Sequence, residues 1–256
     1  MKTLFRTVTL LSAFLVSGQT LAAGGGVALQ PAHNDLSNQG SLQNGMKLFV
    51  NYCLSCHSAE YMRFNRAGKD LGISDEQLKQ NLMFTAEKVG EPMKVAMSKA
   101  DAKKWFGTAV PDLSVVARSR GVDWLYTYMT TFYRDDKKPF GVNNVVFKDV
   151  GMPHVMADLE GGVKDAVYKT ATGADGKPHQ VIDKLVSNCG ALPKADCDKK
   201  AQEYDRNVRD LVNYLEYMGE PAKLVRYSLG VKVIIFLLFF TFVAFLLKKE
   251  YWRDIH

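Results

Sequence analysis

Cys53-Leu54-Ser55-Cys56-His57 is the stretch on which the reading of this chain turns. Two cysteines with two residues between them can each form a thioether to a vinyl group of one haem, while the histidine directly after them ligates the iron. The stretch reads as the attachment site for one covalently bound haem c. Two other chemistries use the same residue types. A zinc site needs a second pair of Cys or His ligands at compatible spacing, and the only other cysteines, Cys189 and Cys197, lie far along the chain with seven residues between them. A thioredoxin-like pair needs a strand before it, whereas Gly45, Leu48, Phe49 and Tyr52 fall at helical spacing and lead into the motif.

The ends of the chain place the motif outside the cytoplasm. Residues 1–22 carry Lys2 and Arg6, an apolar run from Val8 to Val16 and small residues at Thr20-Leu21-Ala22-Ala23, the pattern of a cleaved secretory signal. At the other end the apolar stretch from about Leu224 to Leu247 holds no charge between Val233 and Leu247, enough to cross a hydrocarbon layer of about 30 Å. The tail after it, Lys248-Lys249-Glu250-Tyr251-Trp252-Arg253-Asp254-Ile255-His256, has the positive charge and aromatic pair of a cytoplasmic interface. The expected organisation is a signal peptide over 1–22, an exported haem domain over 23–222, a transmembrane anchor over 223–247 and a cytoplasmic tail over 248–256. In a bacterium this puts a single-pass protein in the inner membrane with its haem domain on the periplasmic side. Cys189 and Cys197, exported and with no haem role, are expected to form a disulfide.

The net charge is +6. Removing Lys2 and Arg6 from the 33 basic residues leaves 31 against 27 acidic ones, a balance too small and dispersed for nucleic acid. The chain also lacks a Walker-type loop, a Gly-x-Gly-x-x-Gly turn and a basic aromatic stripe.

Outward from the motif, residues 23–41 show no sustained period and read as an extended arm, and 58–108 carries helical segments such as 75–84 and 99–105 that would wrap the haem edge. Pro111-Asp112-Leu113-Ser114 is followed by Arg118 and Arg120 and an aromatic helix from Trp124 to Met129. The proline and leucine could pack a haem face, and guanidinium groups pair with propionates bidentately. An ordinary charged helix face accounts for the two arginines equally well. Further on, Met152 lies between Gly151 and Pro153, which hold it in an extended path suited to delivering a thioether to the open side of the haem. Met152 is the first candidate for the sixth ligand, with His154, Met156 and Met129 as competitors. The runs 166–172 and 179–185 flank an Asp-Gly turn and read as a β-hairpin arm. Over 201–218, Val208, Leu211, Val212, Leu215 and Met218 share one helical face. That helix is expected to cross the one before the motif, where Gly45 allows close approach and Tyr214 or Tyr217 supplies an aromatic ring.

In the order of these parts the chain resembles the cytochrome c1 family in a bacterial form. The residues that carry the likeness are Cys53 to His57, Pro111-Asp112-Leu113-Ser114 with Arg118 and Arg120, Gly151-Met152-Pro153, Tyr214-Leu215 through Gly219-Glu220-Pro221, and the C-terminal anchor. The resemblance implies a mainly α c-type haem domain with a small β-hairpin arm and one C-terminal transmembrane helix. It implies His57 and Met152 as axial ligands, Arg120 near a propionate and Pro111 against the haem ring. Family members sit beside a cytochrome b subunit in the dimeric ubiquinol:cytochrome c oxidoreductase, accept electrons from the Rieske iron–sulfur protein, pass them to a cytochrome c and bind no quinol themselves. A free-standing membrane cytochrome feeding a terminal oxidase is the alternative. Two features depart from the mitochondrial pattern: the hairpin with the Cys189 to Cys197 loop, and a charge balance without the acidic surface that binds a cationic cytochrome c.

Overall fold

The computed structural model describes residues 27–172, 177–190 and 192–255. The expected signal peptide and the Asp175-Gly176 turn lie outside the described residues.

Two helices crossing at a glycine form the frame. α1, Gln39–Leu48, starts where the Asn38 side chain accepts the Ser41 backbone N–H, and it continues as a π-helical turn, Phe49–Cys53, into the motif. The long helix that crosses it, Lys194–Gly219, buries Val208, Leu211, Val212, Tyr214 and Leu215. At the crossing, a Cβ on Gly45 would stand 2.0 Å from the Asp210 carbonyl oxygen and 2.6 Å from Tyr214 Cβ, so no larger residue permits this approach. Phe49 and Tyr214 close the seam with ring centroids 5.7 Å apart. Ser41 Oγ and Asn44 Nδ2 donate to the two Asp210 carboxylate oxygens at 2.6 and 2.8 Å, which fixes the register of the pair.

The rest of the haem domain is built on this crossing. The N-terminal arm is strapped across it, because Arg209 donates to the carbonyls of Pro31 and Ala32, Asn213 donates to that of Asp35, and Asp123 accepts the Ala32 N–H. The helix begins at Gln39, so the arm ends earlier than the expected residue 41. After the motif come β1 (Ala59–Arg63), α2 (Phe64–Leu71) and α3 (Asp75–Asn81). Ser74 and Gln77 form a reciprocal capping box at the start of α3. β2 (Pro92–Met93) pairs antiparallel with β1, and α4 covers Lys99–Phe106. α5 (Val116–Arg120) and α6 (Val122–Thr130) are separated by Gly121 at φ 88°, and the short β3 (Phe132–Arg134) and β4 (Val142–Asn144) pair next. A one-turn α7, Ala157–Glu160, leads to the hairpin of β5 (Asp165–Thr172) and β6 (Pro178–Val186). The long helix Lys194–Gly219 is then α8, and it begins seven residues before the expected 201.

The final helix, α9, covers Lys223–Tyr251 and buries none of its residues. A helix this long with its apolar side chains unburied has the length and composition of a membrane span. At about 1.5 Å per residue it is long enough to cross the hydrocarbon layer with turns to spare, and it runs through Lys248 and Lys249 into the segment expected to be tail. Cys189 and Cys197 are bonded to each other, with Cα atoms 5.7 Å apart, and so clip the base of the hairpin to the start of α8.

Candidate haem-binding site

The turn that ends the π-helical segment aims the motif side chains. Leu54 N–H donates to the Phe49 carbonyl, and Cys56 and His57 N–H groups both donate to the Cys53 carbonyl, at 3.0 and 2.8 Å. Both thiols are free; Cys53 is buried and Cys56 half-buried. Burial, with a smaller contribution from Cys56, pushes the Cys53 thiol up to about 12 and so favours its neutral form. Among the described residues no cluster of three or more His, Cys, Asp or Glu side chains could hold a metal ion.

His57 is oriented by a backbone atom. Its Nδ1 lies 2.8 Å from the Pro111 carbonyl oxygen, so Nδ1 carries the proton and Nε2 keeps its lone pair for a metal. Burial lowers the His57 pKa against the opposing pull of Pro111 and Asp112, and favours that neutral form. The Pro111 loop is itself pinned to the chain that follows the motif. Leu113 N–H donates to the Ser58 carbonyl at 2.8 Å, Asp112 accepts the Glu60 N–H at 2.9 Å, and the buried Ser114 accepts the Tyr61 N–H at 3.1 Å. Pro111 thus meets His57 through its backbone carbonyl.

Met152 is half-buried against Phe132, Val142 and Val150, with Tyr128 and Phe140 beside it. The Tyr128 hydroxyl donates to its sulfur at 3.4 Å. The three competitors are held by other groups. Met156 and Met129 are core residues at 0% and 6% exposure, and His154 is buried against Glu160 with Nε2 2.7 Å from the carboxylate.

Tyr128 belongs to a stripe that runs from the end of α5 along α6 into β3. The Arg120 guanidinium lies over Trp124 at 5.1 Å, Trp124 stacks on Tyr128 at 5.0 Å and 9°, and Tyr128 meets the edge of Phe132 at 5.1 Å and 71°. Trp124 and Tyr128 stand four residues apart on α6, a spacing visible in the sequence, whereas Arg120 joins them from the end of α5 across Gly121, and the connection to Met152 was not visible. Arg118 and Arg120 are both exposed; the Arg118 side chain lies along the end of α8, where a Cβ on Gly219 would come within 3.3 Å of its Cγ.

Two free thiols on a turn, an imidazole with Nε2 unengaged and a thioether held by Tyr128 are the side-chain types that a c-type haem takes. Fold and site define a c-type cytochrome with one haem motif and one membrane-length helix. The chain belongs to the Cytochrome C1 family, whose profile matches residues 33–255. It is 49% identical over 249 residues to a cytochrome c1 of Allochromatium vinosum, covering 96% of this chain and 98% of that one. It is 43% identical over 247 residues to a protein of Nitrosomonas europaea named ammonia monooxygenase gamma subunit, covering 96% and 97%. A Rhodospirillum rubrum cytochrome c1 is 27% identical over 288 residues, covering 97% and 99%. The chain is accordingly a c1-type electron-transfer cytochrome with covalently bound haem c, and α9 supplies a single C-terminal helix suited to anchoring it.

Proposed function

We propose that this chain is the haem subunit of a ubiquinol:cytochrome c oxidoreductase. It stands beside a cytochrome b subunit in a dimeric complex, takes electrons from a Rieske iron–sulfur protein and passes them to a cytochrome c. The signal segment exports the haem domain to the periplasmic face of the inner membrane, α9 crosses it once, and the charged tail stays in the cytoplasm. Cys53 and Cys56 would hold the haem covalently, and His57 and Met152 would offer its iron an imidazole nitrogen and a thioether sulfur. When bound, the haem supplies a one-electron ferric/ferrous couple, and a thioether ligand places that couple at relatively high potential. The residues do the rest. Pro111 fixes the His57 ring through Nδ1, Tyr128 holds the Met152 sulfur, and Arg120, whose exposed guanidinium lies over Trp124, would pair with a propionate.

The observation that supports the haem part of this reading is the His57 to Pro111 hydrogen bond, which orients a histidine following two free cysteines and leaves its Nε2 unengaged, while membership of the family supports the place in the complex. The test is a visible spectrum of the detergent-solubilised protein, oxidised and reduced, with carbon monoxide added to the reduced form. The reading expects a low-spin c-type spectrum that ignores carbon monoxide, a lower midpoint potential in Met152→Leu, and copurification with cytochrome b and Rieske subunits. Prompt carbon monoxide binding by the unaltered protein would overturn the two-ligand assignment. Purification as a lone cytochrome under conditions that keep quinol-oxidising complexes intact would overturn the assignment to the complex.

A further inference from the structure

Behind the Met152 loop lies a group of buried polar side chains with no part in the ligand set. His154 and Glu160 side chains are 1% and 2% exposed, and His154 Nε2 donates to Glu160 Oε2 at 2.7 Å. Lys164 Nζ stands 2.6 Å from the other carboxylate oxygen, off the hydrogen-bonding direction, so that oxygen is held by charge alone. The same Nζ donates to the Thr130 carbonyl at 2.7 Å. Burying a carboxylate costs several kcal/mol unless partners compensate, so a loop that only needed to be covered would be served by apolar side chains.

The position of this group indicates what it holds. Thr130 is the last residue of α6, the helix that carries Tyr128. Lys164 is fixed from its backbone too, because its carbonyl accepts the Arg134 N–H at 2.8 Å. His154 stacks on Phe132 at 4.7 Å and 4°, Phe132 presents its edge to Tyr128, and the Tyr128 hydroxyl reaches Met152, two residues before His154. The contacts close a ring that runs from Met152 through His154, Glu160, Lys164, Thr130 and Tyr128 back to Met152. Glu160 is the member that joins its two sides.

We propose that Glu160 is a positioning residue, tying the loop that bears Met152 to the C-terminal end of α6 and so fixing the Met152 sulfur against the Tyr128 hydroxyl. The inference rests on the reading of Met152 as an axial ligand. Cutting the tie leaves the haem covalently attached through Cys53 and Cys56 but frees the sixth position.

The test uses the full-length, haem-loaded protein in detergent, as the unaltered chain and as Met152→Leu, Glu160→Ala and Glu160→Gln. It reads the weak red-edge absorption of methionine-ligated ferric haem, the rate of carbon monoxide binding to the ferrous form, the midpoint potential and the melting temperature. Glu160→Ala is expected to keep its haem, lose most of the red-edge band, bind carbon monoxide faster by about tenfold or more as the open population grows, and show a lower potential. Glu160→Gln keeps an acceptor for His154 but no charge for Lys164, and is expected to fall between the two. If Glu160→Ala lowers only the melting temperature, with band, carbon monoxide rate and potential unchanged, the positioning role is overturned and the Met152 assignment stands. If the unaltered protein lacks the band, or Met152→Leu retains it, the Met152 assignment fails first and takes this inference with it. Should Glu160→Ala not accumulate, a Glu160→Gln protein that matches the unaltered one in band, rate and potential overturns the proposal by itself.

Discussion

Gly45→Ala puts the crossing of α1 and α8 to a quantitative test. The added Cβ would stand 2.0 Å from the Asp210 carbonyl oxygen, where real contacts do not fall below 3.0 Å, so the helices must part by about 1 Å. The obstruction is backbone, and no side chain can rotate to relieve it. A gap of about 0.5–1 Å forfeits roughly a quarter to a half of each dispersion contact across the seam, which here includes Leu42, Met46 and Phe49 against Val208, Leu211 and Tyr214. The separation also stretches the bonds from Ser41 and Asn44 to Asp210. Overpacking costs about 1–3 kcal/mol and more where nothing can yield, so roughly 3–4 kcal/mol is expected, offset by about 1 kcal/mol because alanine is the better helix former. The net loss of about 2–3 kcal/mol corresponds to a fall of roughly 4–12 °C in melting temperature for a domain of this size. The assay is thermal unfolding of detergent-solubilised protein by circular dichroism, at matched haem content. An unchanged or raised melting temperature would refute the close crossing.

Two further outcomes follow from the same structure. Replacing Cys189 and Cys197 by serine opens a loop of sequence separation 8 and is expected to cost about 2–3 kcal/mol; denaturant unfolding with and without the bridge measures it, and equal midpoints would refute the loop-closure account. Burial raises the Asp205 carboxyl, but hydrogen bonds from Arg209 and Tyr126 outweigh it and leave the pKa below its ordinary value. A depressed carboxylate stabilises the fold above its unfolded pKa of about 3.9 and loses that contribution as pH falls through the folded value. Because Asp205 is 42% exposed the effect is small, and Asp205→Asn should shallow the acid limb of a stability–pH curve below about pH 4. An acid limb identical to that of the unaltered protein would remove Asp205 from that role.

What the sequence made legible was local or periodic. The haem motif is five adjacent residues, the buried face of α8 repeats at helical spacing, the hairpin strands flank a turn dipeptide, and α9 is a run of apolar residues without a break. The crossing at Gly45 could be anticipated because a glycine, an aromatic face and two helices at the ends of one domain admit few packings. The short pairs β1 with β2 and β3 with β4 were not legible, since strands of two to five residues joined by long connections leave no period to read.

The haem site divides along the same line, and the division follows from what an amino-acid letter encodes. Cys53, Cys56, His57 and Met152 carry their chemistry in their side chains, so type and spacing single them out as candidates, Met152 as the first of four. The groups that orient them do not. The Pro111 group that engages His57 is a carbonyl, which every residue possesses, and its place depends on Asp112 and Ser114 binding backbone more than fifty residues away. Glu160 looks like any glutamate in a short acidic turn until folding brings Thr130, His154 and Lys164 around it. An imidazole or a thioether can be chosen locally, but its angle is set by atoms from distant parts of the chain. A sequence can therefore name the ligands of such a site well before it can name the residues that hold them in place.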